Sequence, residues 1–108
     1  QNVTDYVDLP THIHADYALT CKGDSMVNIG ISDGDIVYIR EQTEVENGQI
    51  AAVMVGDEEA TLKRFYYQDD MIQLVAENSS YPPKIFVGDA ISQIRIVGRA
   101  VAFTHVIE

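Results

Sequence analysis

Apolar and polar positions alternate along this chain in short runs, each closed by turn residues, and no run keeps a helical period beyond a turn or two. Tyr17-Ala18-Leu19-Thr20-Cys21-Lys22 reads as a strand with Tyr17, Leu19 and Cys21 on one face. Gly23-Asp24 breaks it, and the spacing predicts a short helical turn over residues 25–31 with Asp24 or Ser25 as N-cap. After the turn signal Ser32-Asp33-Gly34-Asp35, strands are predicted at Ile36 to Ile39, Gln49 to Val55, Ala60 to Tyr67 and Met71 to Ala76. Glu46-Asn47-Gly48, Gly56-Asp57-Glu58-Glu59 and Gln68-Asp69-Asp70 turn the chain between them. Residues 1–16 hold no period and suit an edge strand or a surface loop, and residues 77–83 form a loop. Ile94 to Ile107 is the longest strand candidate, interrupted by Gly98. The expected fold is mostly β, a compact barrel or sandwich-like domain of short strands with at most one or two helical turns.

Composition narrows this. At 108 residues the chain makes a single domain, residues 1–108. With 46% hydrophobic residues against 22% charged, it folds rather than staying disordered. A net charge of −10 repels phosphate backbones, and only Lys63 and Arg64 are adjacent bases, so direct nucleic-acid binding by this domain is not expected. No run reaches the roughly 20 apolar residues of a membrane helix, and no basic-then-apolar signal opens the chain, so a soluble, cytoplasmic protein without membrane contact is expected. Cys21 is the one cysteine and forms no internal disulfide, which agrees with a reducing compartment.

The candidate chemistry lies in two stretches. Gly23-Asp24-Ser25-Met26 offers a hydroxyl at a strand end, and Thr61-Leu62-Lys63-Arg64-Phe65 offers a lysine among apolar neighbours. A serine hydroxyl is a weak nucleophile until a base takes its proton, and a neutral lysine can serve where no histidine is placed to do so. An ordinary lysine is neutral in only about one molecule in a few thousand at pH 7. Burial can lower its pKa by roughly 3–5 units, enough to supply the neutral form. If Ser25 opens a helical turn, the backbone N–H groups of Ser25 and Met26 are available to a developing oxyanion. Read from the pattern alone, a serine after Gly-Asp is commonly a cap and a strand lysine commonly faces water, and that alternative stays open.

The other candidates carry less. His12 and His14 share a strand face by spacing but have no third ligand in the pattern, so surface histidines and no metal or cofactor are expected. Cys21 reads as a small core residue. Asp57-Glu58-Glu59 reads as a solvated turn, and Arg64 as one half of a surface or interface ion pair.

Taken in order, Gly23-Asp24-Ser25-Met26, Ile29-Gly30-Ile31-Ser32-Asp33-Gly34-Asp35, Gly48-Gln49-Ile50, Thr61-Leu62-Lys63-Arg64-Phe65 and Ala76-Glu77-Asn78-Ser79 resemble the LexA-like family. That family includes the SOS repressor, the lambdoid phage repressors and the UmuD-type mutagenesis proteins. The likeness runs from about Asp5 through Arg99, and its motifs are specific as a set. It implies a mostly β serine peptidase domain that cuts its own hinge at a small-residue bond and also dimerises, with Ser25 as nucleophile and Lys63 as general base. It further implies an N-terminal helix-turn-helix domain and a cleavage hinge, neither of which is in these residues, and a homodimer. The inducer implied is a RecA–single-stranded DNA filament, or else an antirepressor protein.

Two departures stand out: no Ala-Gly or Cys-Gly pair precedes Ser25, and Val27-Asn28 stand where many relatives carry a proline. Competing readings are a non-cleaving dimerisation or partner-binding module, a UmuD-like translesion synthesis subunit, and a type I signal peptidase, which the absence of a membrane anchor disfavours. For the dimer, the apolar run Ile94 to Ile107 is the candidate surface, with a plain central strand as the alternative.

Overall fold

In the computed structural model, which describes residues 11–105 and 107, each predicted strand of the alternating pattern is present. They are β1 (Tyr17–Thr20), β2 (Ile36–Glu41), β3 (Ile50–Val55), β4 (Thr61–Gln68) and β5 (Met71–Val75), followed by β6 (Lys84–Val87) and β7 (Ile94–Thr104). Two 3-10 segments, Val27–Ile29 and Gly88–Gln93, interrupt them. The reading of residues 1–10 as irregular lies outside the described residues. Among the described residues no helix is long and apolar enough to cross a membrane.

The strands form one seven-stranded sheet in the order β1-β2-β7-β3-β4-β5-β6, and every neighbouring pair is antiparallel. Consecutive strands that pair do so through the turns read from the sequence. Gly48 and Gly56 take positive φ, and so do Asp69 and Asp70 between β4 and β5, where short polar side chains tolerate the left-handed region.

Strand alternation buries the sheet on both sides of β3. Ala52 joins Leu19, Cys21, Met26, Ile31, Val37, Ile39 and Leu62 in one core cluster. Ala51 and Val53, pointing the other way, join Phe65, Ile72 and Leu74 in a second. Small residues at positions 51 and 52 suit a strand packed on both faces.

β7 is a central strand, paired with β2 on one side and β3 on the other. It meets β3 over residues 94–99 and β2 over residues 98–104, so only Gly98 and Arg99 are paired on both sides, and Phe103 alone among its large apolar side chains is prominently exposed, at 40%. Register slips between Tyr38 and Ile39 and between Ala52 and Val53 flank it. Gly98 sits at this crossing because a Cβ there would lie 2.5 Å from both the Arg40 carbonyl and Ile39 Cγ2.

β6 and the Gly88–Gln93 segment were not expected from the sequence. Ile85 and Val87 are each 58% exposed, so this edge strand presents its apolar residues to solvent and lacks the inward alternation that marks the others.

Candidate active site

Ser25 stands in the irregular segment between β1 and the 3-10 turn, and its surroundings explain its placement. Gly23 takes φ +84, which lets the chain reverse after β1, and its N–H donates to Asp33 Oδ1 at 2.7 Å. Asp24 is held from the opposite side: its carbonyl accepts from Asn78 Nδ2 at 2.9 Å, and its carboxylate accepts from the Tyr81 hydroxyl. That carboxylate pushes the Tyr81 phenol pKa up.

The expected cap is corrected here. The turn covers Val27–Ile29 rather than residues 25–31, its N-cap is Met26, and no side chain caps it. Asp24 Oδ1 accepts instead from Tyr81 and Ser25 Oγ from Lys63. The turn ends at Gly30, which has φ 92 and donates to the Val27 carbonyl at 2.9 Å. Met26 is completely buried under the turn. The N–H groups of Ser25 and Met26 make no hydrogen bond among the described residues, while Val27 N–H donates to the Asp24 carbonyl at 3.3 Å.

Lys63 arrives from β4, whose backbone is fixed opposite Ala51 on β3. Its Nζ donates to Ser25 Oγ at 3.2 Å, Thr61 Oγ1 at 2.9 Å and the Leu62 carbonyl at 3.0 Å. Thr61 and Lys63 are two apart on one strand and so share a face, which places that hydroxyl within reach of Nζ. An ammonium donates three bonds and matches this set. The neutral amine donates two and offers a lone pair, which suits donation to Thr61 and Leu62 and acceptance from the Ser25 O–H. Burial pushes the Lys63 pKa down from 10.5, and the Lys84 ammonium pushes it the same way, against a smaller opposing effect of Cys21.

The pair opens on a cavity of about 360 Å³ with Leu19, Cys21, Met26, Leu62 and Leu74 in its walls. Lys84, at the start of β6, lines the same cavity as Leu19 and Thr20 of β1, so both edge strands border it. Glu58 and Glu59 also line it, which moves part of the acidic turn from bulk solvent to the cavity rim; Lys22 Nζ lies 3.6 Å from Glu59 Oε2 across it.

The remaining sequence candidates take structural places. His12 and His14 are exposed, and His14 Nε2 lies 3.0 Å from Asp16 Oδ1. Among the described residues no three His, Cys, Asp or Glu side chains cluster to hold a metal ion. Cys21 is 7% exposed within the core, and burial together with Asp35 and Asp33 pushes its thiol pKa up, away from the reactive thiolate. Arg64 is half-buried, donating to Glu77 and, at 2.6 Å, to the Gly48 carbonyl.

Asp33, Thr61, Asn78 and Tyr81 were not singled out from the sequence as site residues. Asp33 carried a signal, since an aspartate in Ser32-Asp33-Gly34-Asp35 is free to accept from backbone N–H groups. The partners of Asn78 and Tyr81 lie more than fifty residues away in sequence, and no local pattern announces them.

The chain is similar in sequence to known proteins. The sequence pattern of the family described as Peptidase S24-like matches residues 1–101. A LexA repressor of Shouchella clausii (strain KSM-K16) is 48% identical over 88 residues, covering 79% of this chain and 42% of that protein. LexA repressors of Exiguobacterium sibiricum and Ruegeria sp. (strain TM1040) are 38% and 46% identical, over 94% and 79% of this chain and 48% and 34% of their own lengths. The chain thus spans less than half the length of these curated relatives.

Proposed function

This chain belongs to the Peptidase S24-like family, and on that premise we propose that it is the C-terminal self-cleavage and dimerisation domain of a transcriptional repressor of the SOS or phage type. The observation that carries the proposal is the contact between Lys63 Nζ and Ser25 Oγ at 3.2 Å, at the wall of the cavity of about 360 Å³. The relatives named LexA repressor favour the regulatory context.

In the proposed mechanism, neutral Lys63 takes the Ser25 proton as Oγ attacks the carbonyl carbon of a hinge peptide bond between small residues. The tetrahedral oxyanion is met by the N–H groups of Ser25 and Met26. Lys63 then returns the proton to the leaving amine, the C–N bond breaks, and an acyl-serine ester remains. Water, deprotonated by Lys63, hydrolyses that ester and regenerates Ser25. Cutting the hinge releases a DNA-binding domain from its dimerisation domain, and operator affinity falls because two half-sites are no longer bound together. A homodimer, and induction by a RecA–single-stranded DNA filament, belong to this proposal.

A repressor carrying this domain and its hinge tests it. Ser25→Ala and Lys63→Ala should each abolish cleavage while leaving the dimer intact by sizing. Cleavage surviving at the native rate in either variant would overturn the assignment.

A further inference from the structure

We propose that the Asp35–His105 pair is a tether by which the end of β7 holds the Ser25 loop in cleaving position against Lys63, a proposal that rests on the reading of those two residues given above.

Asp35 is 1% exposed, set between the buried side chains of the core just before β2. A buried carboxylate is tolerated only when its oxygens are hydrogen-bonded. Oδ2 accepts from Ser32 N–H at 2.7 Å, which closes the turn over residues 32–35, and Oδ1 is met by His105 Nδ1 at 2.6 Å. Pairing of Ile36 with Thr104 explains why these distant positions coincide: it sets residue 105 beside residue 35 where the two strands meet.

The turn that this carboxylate closes is the one that grips the nucleophile's segment. The Asp35 carbonyl accepts from Cys21 N–H at 2.7 Å, Gly34 N–H donates to the Cys21 carbonyl at 2.8 Å, and Asp33 Oδ1 accepts from Gly23 N–H at 2.7 Å. Ser25 follows two residues later. His105 is thus a positioning residue: it touches neither substrate nor Ser25, and acts by keeping Asp35 paired inside the wall. Without it, Oδ1 must be drawn toward water, and the turn and residues 21–25 shift with it. A displacement of about 1 Å at a nucleophile costs on the order of 100-fold in rate.

The donor at position 105 is what matters. An asparagine presents an amide N–H near the place of Nδ1, whereas alanine presents none. The His105 side chain is 57% exposed, so neither substitution opens a hole in the core.

The experiment is trans cleavage of a synthetic peptide with a central Ala-Gly bond by the native chain, His105→Ala, His105→Asn and Ser25→Ala, with thermal melting alongside. His105→Ala should lose about 10- to 100-fold in kcat with KM within a factor of about two, and His105→Asn should regain most of that loss. Equal rates for native and His105→Ala, an equal loss in both variants, or a loss matching only the unfolded fraction would overturn the tether. A folded native chain no more active than Ser25→Ala would instead overturn the reading of the site, and the tether with it.

Discussion

Lys63 and Ser25 meet at one hydrogen bond, yet they are brought there by different means. Lys63 stands on a strand paired on both sides, with Ala51 opposite it on β3 and its neighbour Arg64 opposite Val75 on β5. Leu62 and Phe65, close to it in sequence, anchor β4 in the two separate cores. Ser25 has no ladder. Its segment is held by the Gly23–Asp33, Asp24–Asn78 and Asp24–Tyr81 bonds, each made by a side chain from elsewhere. A ladder fails as a whole, while a loop held by single bonds loosens one bond at a time. On the proposed reading, the base is therefore a property of the sheet, and the nucleophile's position a property of a few side chains. Damage on the sheet side should be felt in stability first, and damage on the loop side in activity first.

The largest expected effect tests the sheet side. Gly98→Ala forces a methyl to 2.5 Å from the Arg40 carbonyl and Ile39 Cγ2, both fixed parts of β2. Overpacking of this kind costs about 2–3 kcal/mol, read as a lowered urea midpoint. The fraction that remains folded should cleave at close to the native rate, since β3 and β4 still align Lys63. A full-stability variant with lost activity would reverse the comparison.

Asp33→Ala tests the loop side. It removes the acceptor of the Gly23 N–H but touches an exposed residue, so stability should move by only about 0.5 kcal/mol. Cleavage should fall about 10-fold or more as Ser25 loses its alignment. If melting and cleavage fell in step, the loop would be as much a part of the folding unit as β4.

This contrast also sets what the sequence could reveal. The strands that line the two cores were legible because Leu19, Val37, Val53 and Leu74 sit at inward positions of a period-two pattern. β6 was not, because Ile85 and Val87 face solvent and only Phe86 packs inward. The central place of β7 stood as one of two readings and no more, since strand order is decided by pairing between distant segments. Ser25 and Lys63 were singled out through an ordered set of motifs with a chemical reason for each, and their side chains meet at 3.2 Å. Their supports were legible only in part: Asp33 carried the signal of a turn aspartate but not the identity of its partner, a glycine ten residues away, and Asp35 meets a histidine seventy residues away, a separation at which local patterns carry nothing.

Thr61→Val is a smaller perturbation and separates the strand's backbone from its side chains. Valine keeps the β-branched shape and β4 should stay intact. Nζ loses the acceptor at 2.9 Å, and with it one of the bonds that aim its lone pair at Ser25. A net loss of about 1 kcal/mol gives roughly fivefold slower cleavage at alkaline pH, with an unchanged urea midpoint. No change in rate would mean that the ladder alone aims the base.

Lys84→Gln carries the smallest effect, and its sign can be worked out. Burial is the main cause that lowers the Lys63 pKa below 10.5, and the Lys84 ammonium on the cavity wall is the second. Removing that charge lets the Lys63 pKa climb back part of the way. If the neutral amine is the base, the rise of cleavage with pH moves in the alkaline direction, while the alkaline plateau stays where it was. Stability is linked with the same sign. A lysine whose folded pKa lies below its unfolded value binds fewer protons when folded, so its contribution to stability grows as pH rises between the lowered folded value and 10.5, and is constant outside that window. Lys84→Gln narrows the window from its acid side. Because Lys84 is exposed, added salt should shift the native profile the same way by screening over about 8–10 Å, and should leave the variant's profile nearly still. Cleavage rates between about pH 6 and 10 at low and high salt would decide it. Coincident native and variant profiles would leave burial in the sheet as the sole cause of the lowered Lys63 pKa, and would tie the base still more closely to β4.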